Sequence, residues 1–282
     1  MPVNILYCEG GKNSPDIRVL LNILSGVCTI RPAGSKYGLD RQILFVKQEN
    51  LLPSSVVAAL KDRDFDSDIS PPVNSPRPWF ARVQNQEIQV GWSWERKEIE
   101  NYLIDPEVVS QALGSKAPPL EEYRAVLEES ALNIADYTAA RIALSLSRKS
   151  LLPLNNCWGN MGGKKHPFPG RLAESDCRAG IINIIRQYEQ AQIIQEDDVL
   201  NSFEQVLSTC RVGGVRFQHF LIFFSGKDLL CEMRAALLGW GLGEPFVFRE
   251  RIVKGIENST EDVSSWLPEW VQLRQVMQGF SP

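Results

Sequence analysis

The chain has 282 residues, 44% of them hydrophobic and 23% charged, which suits a globular protein of one large or two small domains. Its net charge of −4 does not announce a nucleic-acid binder, although an acidic centre and a local basic rim would cancel in that sum. Six scattered cysteines without a CxxC pair, and only two histidines, argue against a zinc ribbon and a multi-histidine metal site, leaving chemistry based on carboxylates and lysine.

No window approaches the ~20 apolar residues that span a bilayer. The N-terminus opens directly into an apolar strand without a basic n-region, so a cytoplasmic protein with reduced thiols and no membrane association is expected. That strand, Val3 to Cys8, ends at Glu9-Gly10-Gly11, and Pro15-Asp16 opens a helix that Gly26 closes. A second strand at Val27 to Ile30 and a second helix at Asp40 to Glu49 lead to a third strand, Val56 to Leu60. This strand stops at Lys61-Asp62-Arg63-Asp64-Phe65-Asp66. Such a β-α-β-α-β series predicts a parallel sheet with right-handed crossovers, so Glu9 and the aspartates emerge at one carboxyl edge, where open α/β sheets bind ligands.

Residues 67–86, rich in Pro, Ser and Asn, read as an irregular loop, and Glu87 to Trp94 as a fourth strand running into Glu95 through Pro106. A short helix follows to Leu113, and a strong helical period runs from Pro119 to Lys149. Residues 151–171 form a loop containing Gly162-Gly163-Lys164-Lys165-His166. Helices are expected at Ala173–Gln190 and Asp197–Cys210, the latter capped by its paired aspartates. Phe217 to Phe224, strand-sized or part of a buried helix, leads into Ser225-Gly226-Lys227-Asp228-Leu229-Leu230, and two amphipathic helices close the chain at 246–257 and 264–277. The organisation expected is an α/β core over 1–114, a mainly helical insertion over 115–212, and a return to the core with C-terminal helices over 213–282.

Asp62 and Asp64 lie two apart, so on an extended strand they face one point, an arrangement suited to a hard cation; a polar loop after a core strand is the plain alternative. Glu98 and Glu100, two apart on a helix, point apart, so one of them reaches a shared site. The P-loop pattern fails at Gly11-Lys12, Gly163-Lys164 and Gly226-Lys227 alike, so no nucleoside-triphosphatase engine is expected. Arg63 and Arg96 are placed either to touch phosphate or to pair with the acids. Lys164 and Lys165 either track a nucleic-acid backbone or form a solvated basic loop. Trp92, Trp94 and Tyr102 read as packing rather than as base-stacking platforms.

Taken together, strand-Glu9-Gly10, then Asp62-Arg63-Asp64-Phe65-Asp66, then Glu98-Ile99-Glu100-Asn101-Tyr102-Leu103, and later Ser225-Gly226-Lys227-Asp228, resemble a Toprim domain. The similarity is to the Toprim part of overcoming-lysogenization-defect nucleases and to stand-alone Toprim effectors paired with separate ATPases in anti-phage defence. It covers about residues 3–106 and 217–238. It implies an α/β Toprim-like fold, mostly parallel, flanked by helices, and a Mg2+-dependent endonuclease (Mn2+ substituting) acting on DNA or a structured RNA such as tRNA. It further implies Glu9 as metal ligand or general acid/base, Asp62 and Asp64 as the metal pair, Glu100 as a further ligand, and Lys227 as a stabiliser of phosphate charge. A separate ATPase partner is implied as well, and the terminal helices after Gly243 are candidate docking surfaces for it. Relatives carry a second acid about four residues after the first Glu, where this chain has Asn13; Asp16 is the nearest acid. A nucleotide-sugar transferase using DxD, and a non-catalytic Toprim-fold scaffold or sensor, are the alternatives.

Overall fold

A computed structural model describes residues 2–34, 38–48, 56–83, 86–147, 173–188 and 195–280. They form two compact units, one of Met1–Arg63, Pro72–Ala117 and Phe246–Pro282, the other of Asp64–Pro71 and Pro118–Pro245. The first unit opens with β1 (Ile5–Glu9), α1 (Pro15–Ile23), β2 (Thr29–Gly34), α2 (Leu39–Gln48), β3 (Val57–Lys61), β4 (Arg77–Val83), β5 (Gln86–Ser93), α3 (Ile99–Leu103) and α4 (Pro106–Leu113). The strands make one sheet in the order β2-β1-β3-β5-β4, parallel except for β4, which pairs antiparallel with β5. The fold is thus α/β, with a mostly parallel central sheet flanked by helices.

Burial follows from the sequence. β3 is apolar at four consecutive positions because both of its faces are covered, as a central parallel strand requires. Ile5, Val57, Ala59, Ala81 and Val90 share a core with Leu39 and Ile43, which lie one helical turn apart on α2. Gly91 lies opposite Ala59, where an added Cβ would collide with the Ala59 backbone, so the β3–β5 approach requires glycine. The strand β4 lies in the stretch expected to be an irregular loop. Its Pro78 lowers the strand signal, but an edge strand tolerates proline because one side of it has no ladder to donate to.

The second unit is helical among its described residues: α5 (Leu120–Asn133), α6 (Ala135–Leu146), α7 (Glu174–Tyr188), α8 (Glu196–Cys210), α9 (Val215–Gln218), α10 (Phe220–Phe223), α11 (Gly226–Glu232) and α12 (Arg234–Gly239). Its centre is α6, buried at Tyr137, Thr138, Ala139, Ala140, Ile142, Ala143 and Leu144, whose small residues let neighbours approach on most sides. The apolar run at 217–224 becomes two single helical turns, α9 and α10. Ser225 caps α11 by accepting from Asp228 N at 3.3 Å. The Gly226-Lys227 helix therefore belongs to this helical unit, and the chain rejoins the first unit only at Phe246.

Two helices complete the first unit, α13 (Pro245–Glu257) and α14 (Pro268–Gly279). Their apolar stripes are buried at Phe248, Ile252, Val253, Ile256, Trp270, Leu273 and Met277, so only their outer faces are open to a partner. Arg18 on α1 grips α13 through Glu250 at 2.6 Å and Glu257 at 2.7 Å. Val3 N donates to Met277 O at 2.8 Å, and the Phe280 ring meets Trp92 edge-on at 4.8 Å. No described helix is long and apolar enough to cross a membrane, and the described cysteines Cys8, Cys28, Cys177, Cys210 and Cys231 are free thiols.

The strongest tie is polar. Glu269 on α14 is buried and accepts from Tyr102 Oη at 2.6 Å and from Glu95 N at 2.8 Å. Burial raises its carboxyl from 4.5 to about 7, against the opposing pull of Tyr102, the Glu95 amide and Arg96, and with the Glu95 charge adding to the rise. The folded protein then holds this proton where the unfolded chain has lost it. The resulting stability is complete below the unfolded value and disappears as pH rises through the folded one. Measured by thermal unfolding, the wild type is expected to lose on the order of 3 kcal/mol between about pH 4 and pH 8 relative to a Glu269→Gln variant.

Candidate active site

The acids at the carboxyl edge of the sheet are placed by two strand ends and one turn. β1 delivers Glu9, and its register with β2 shifts between Cys8 and Glu9 before the chain turns at Gly10. Gly10 has φ +92°, and an added Cβ would lie 2.9 Å from Ser14 Cβ and closer still to its hydroxyl. Only glycine combines that left-handed backbone with so close a helix start. Ser14 caps α1, Pro15 occupies its first turn, and Asp16 follows there. The adjacent β3 runs parallel to β1 and ends at Lys61, so Asp62 emerges beside Glu9, and Glu9 Oε1 accepts from Asp62 N at 3.2 Å.

Cys8 reports the electrostatics of this edge. Burial pushes its thiol far up, and the charges of Asp16, Asp62 and Glu9, together with the neighbouring Cys28, push it the same way. The charges of three carboxylates, from two strand ends and one helix start, thus reach the Cys8 thiol. Asp16 does so although it lies three residues beyond Asn13. Among the described residues no group of three or more His, Cys, Asp or Glu side chains is set closely enough to hold a metal ion. The donors present are hard oxygens, and Mg2+ is usually held by one or two carboxylates with water and substrate phosphate filling its remaining positions. Glu9 and Asp62 offer donors of that chemistry, too few for a calcium-type cage.

Arg63 and Glu95 fix the chain beyond Asp62. Arg63 is buried and donates from Nη1 to Glu95 O at 3.0 Å. The Glu95 carboxylate accepts from Val73 N at 2.6 Å and Asn74 N at 2.7 Å, with Arg77 at 3.7 Å. The segment that departs at Arg63 is therefore closed at its return by the same residue. Arg96 pairs with Asp105 at 2.8 Å, donates to Asn101 O at 3.0 Å and stacks on Tyr102 at 4.8 Å. Of the two arginines expected either to touch phosphate or to pair with acids, Arg96 thus pairs with an acid and Arg63 is bonded to a carbonyl of the first unit.

Glu100 sits in α3, whose residues Ile99, Glu100, Asn101, Tyr102 and Leu103 are all buried. Its Oε1 accepts from Arg249 Nη1 of α13 at 2.9 Å. Asn101 Oδ1 accepts from Glu98 N at 3.2 Å, which turns Glu98 into the helix cap. Trp92 and Trp94 are buried as expected, and Trp94 packs on Tyr102 with ring centres 4.8 Å apart. Asp64 is exposed and Lys227 half-buried; both belong to the second unit. Lys164 and Lys165 lie outside the described residues.

The pattern of motifs missed Glu95, Arg249, Glu269, Arg141 and Arg216. Glu269 carried a signal, a carboxylate next to Trp270 at the start of an otherwise apolar stripe. The arginines carried none, since an arginine in a helical stretch reads as a solvent-facing residue. No protein-family model and no curated protein matches this chain.

The turn at Gly10 supplies a direct test of how the edge is built. Gly10→Ala is expected to destabilise the fold by at least about 1 kcal/mol in chemical denaturation. Gly11→Ala, where nothing lies within 4 Å and φ is unexceptional, is expected to change it by less than about 0.5 kcal/mol.

Proposed function

We propose that this chain is a metal-dependent phosphodiester hydrolase acting on nucleic acid through a Toprim-like carboxylate edge. The observation that carries the proposal is the bond from Asp62 N to Glu9 Oε1, which sets two acidic residues side by side at the carboxyl ends of neighbouring parallel strands. Hydrolysis of a phosphodiester requires a positioned water, compensation of charge on the phosphorus oxygens, and a proton for the leaving oxygen. Bound Mg2+ or Mn2+ supplies Lewis acidity and lowers the pKa of bound water.

The chain's own residues supply the remainder. Asp62 and Glu9 would hold the cation, and Glu9 would also serve as the general acid or base that the resemblance implies. The resemblance adds Asp64 as a ligand and Lys227 as a counter-charge for phosphate. Glu100, the further ligand that the resemblance implies, is buried against Arg249. The substrate class is DNA or a structured RNA such as tRNA, and a separate ATPase partner belongs to the same proposal through the resemblance. A non-catalytic scaffold is the second reading, favoured by Asn13 and by the commitment of Glu100 to Arg249.

Purified full-length protein incubated with supercoiled plasmid and with tRNA, in Mg2+, Mn2+ or excess chelator, tests the proposal. Cleavage of at least one nucleic acid that requires the divalent ion is expected. Asp62→Ala should lower it by about 100-fold or more while leaving the unfolding midpoint nearly unchanged. Equal cleavage by both proteins, or by neither, overturns it.

A further inference from the structure

Asp64 and Lys227, far apart in sequence, lie in the same helical unit, and their chain neighbours meet at one guanidinium. Arg141 on α6 makes an ion pair with Asp228 Oδ2 and lies over the Phe65 ring at 4.9 Å. Phe65 follows Asp64, and Asp228 follows Lys227. Asp228 is 1% exposed and the Arg141 side chain 19%.

The backbone around Phe65 is held by two further side chains. Ser145, one turn beyond Arg141 on α6, donates to Phe65 O at 3.2 Å. Arg216, itself buried, donates from Nη2 to Asp66 O at 2.9 Å and from Nη1 to Thr209 Oγ1 at 3.0 Å. The chain leaving Asp64 is thus fixed at one ring and two consecutive carbonyls. On the other side, α11 is fixed at Asp228, whose amide is capped by Ser225.

We propose that Arg141 is a positioning residue that sets Asp64 and Lys227 in one register, through the Phe65 ring and the Asp228 carboxylate. This inference rests on the hydrolase reading above. Only arginine can do both tasks, because its planar guanidinium presents a face to the ring and an edge to the carboxylate. Arg141→Lys keeps the positive charge beside buried Asp228 but presents no plane to Phe65. The substitution therefore loosens Asp64 relative to Lys227 without leaving a buried charge unpaired.

The test is a double-mutant cycle on the full chain with Arg141→Lys, Phe65→Leu and their combination, using whichever nucleic acid the wild type cleaves. Each single substitution is expected to lower kcat about 10-fold with KM within about 2-fold, as loss of alignment does. The double variant should be no worse than about 10-fold, because both changes remove the same contact. Phe65→Leu leaves the Arg141–Asp228 pair in place, so it reports even where Arg141→Lys unfolds, which thermal unfolding reveals. Mn2+ binding by calorimetry supplies a readout apart from turnover, and should weaken in both single variants. Additive losses, an unchanged kcat, or an effect confined to KM in an active wild type overturn the inference alone. A wild type that neither cleaves nor binds Mn2+ overturns the hydrolase reading, and the inference with it.

Discussion

The chain between Arg63 and Asn74 leaves the sheet and returns to it, and one buried residue closes both ends. Glu95 is 1% exposed, so its carboxylate would be costly to bury without compensation. Two backbone amides, at Val73 and Asn74, supply that compensation with short charge-assisted bonds, and Arg77 adds charge at longer range. The carbonyl of Glu95 takes Arg63, and its amide is taken by Glu269. One residue thus ties the exit from β3, the entry to β4 and the C-terminal helix. The strand end that presents Asp62 is held by this knot rather than by loop propensity.

The same economy recurs at three other buried acids. Glu100 has Arg249, Asp228 has Arg141, and Asp105 has Arg96. Buried pairs of this kind add little net stability over an apolar replacement, but they are costly to break and admit only one partner geometry. They therefore serve register better than strength. Their cost is offset by the large apolar faces around them, including Trp94, Tyr102 and Trp270 in the first unit and the alanine-rich α6 in the second.

Much of the sheet was legible because burial writes a pattern. The apolar run of β3 and the strand-turn-helix at Glu9 to Gly26 follow from hydrophobic period and capping signals. The strand β4 was not legible, since Pro78 and a Pro/Ser/Asn-rich approach are loop signals that only edge placement overrides. The apolar run at 217–224 is too short for periodicity to separate strand from helix, and the fold resolves it as two helical turns. The division of the chain at Arg63/Asp64 leaves no sequence trace at all. Proximity of side chains distant in sequence, such as Glu269 to Tyr102, depends on topology that no local pattern encodes.

This difference bears on what each motif means. The phrase Ile99-Glu100-Asn101-Tyr102-Leu103 is wholly buried: Glu100 binds Arg249, Asn101 accepts from the amide of the capping Glu98, and Tyr102 joins Arg96 to Glu269. Asp228 is likewise committed to Arg141. Each of these residues has a structural task sufficient to explain its type, so the phrases speak first for the architecture. Glu9, Asp62 and Asp64 differ. They stand at or just beyond strand ends, partly or fully open to solvent, and a solvated turn there would be served as well by Ser, Asn or Gly. Gathering negative charge at a sheet edge raises the folding free energy through mutual repulsion unless a cation relieves it. Glu9 and Asp62 are themselves set by the tight turn at Gly10, the capped start of α1 and the Arg63–Glu95 bond just beyond the strand.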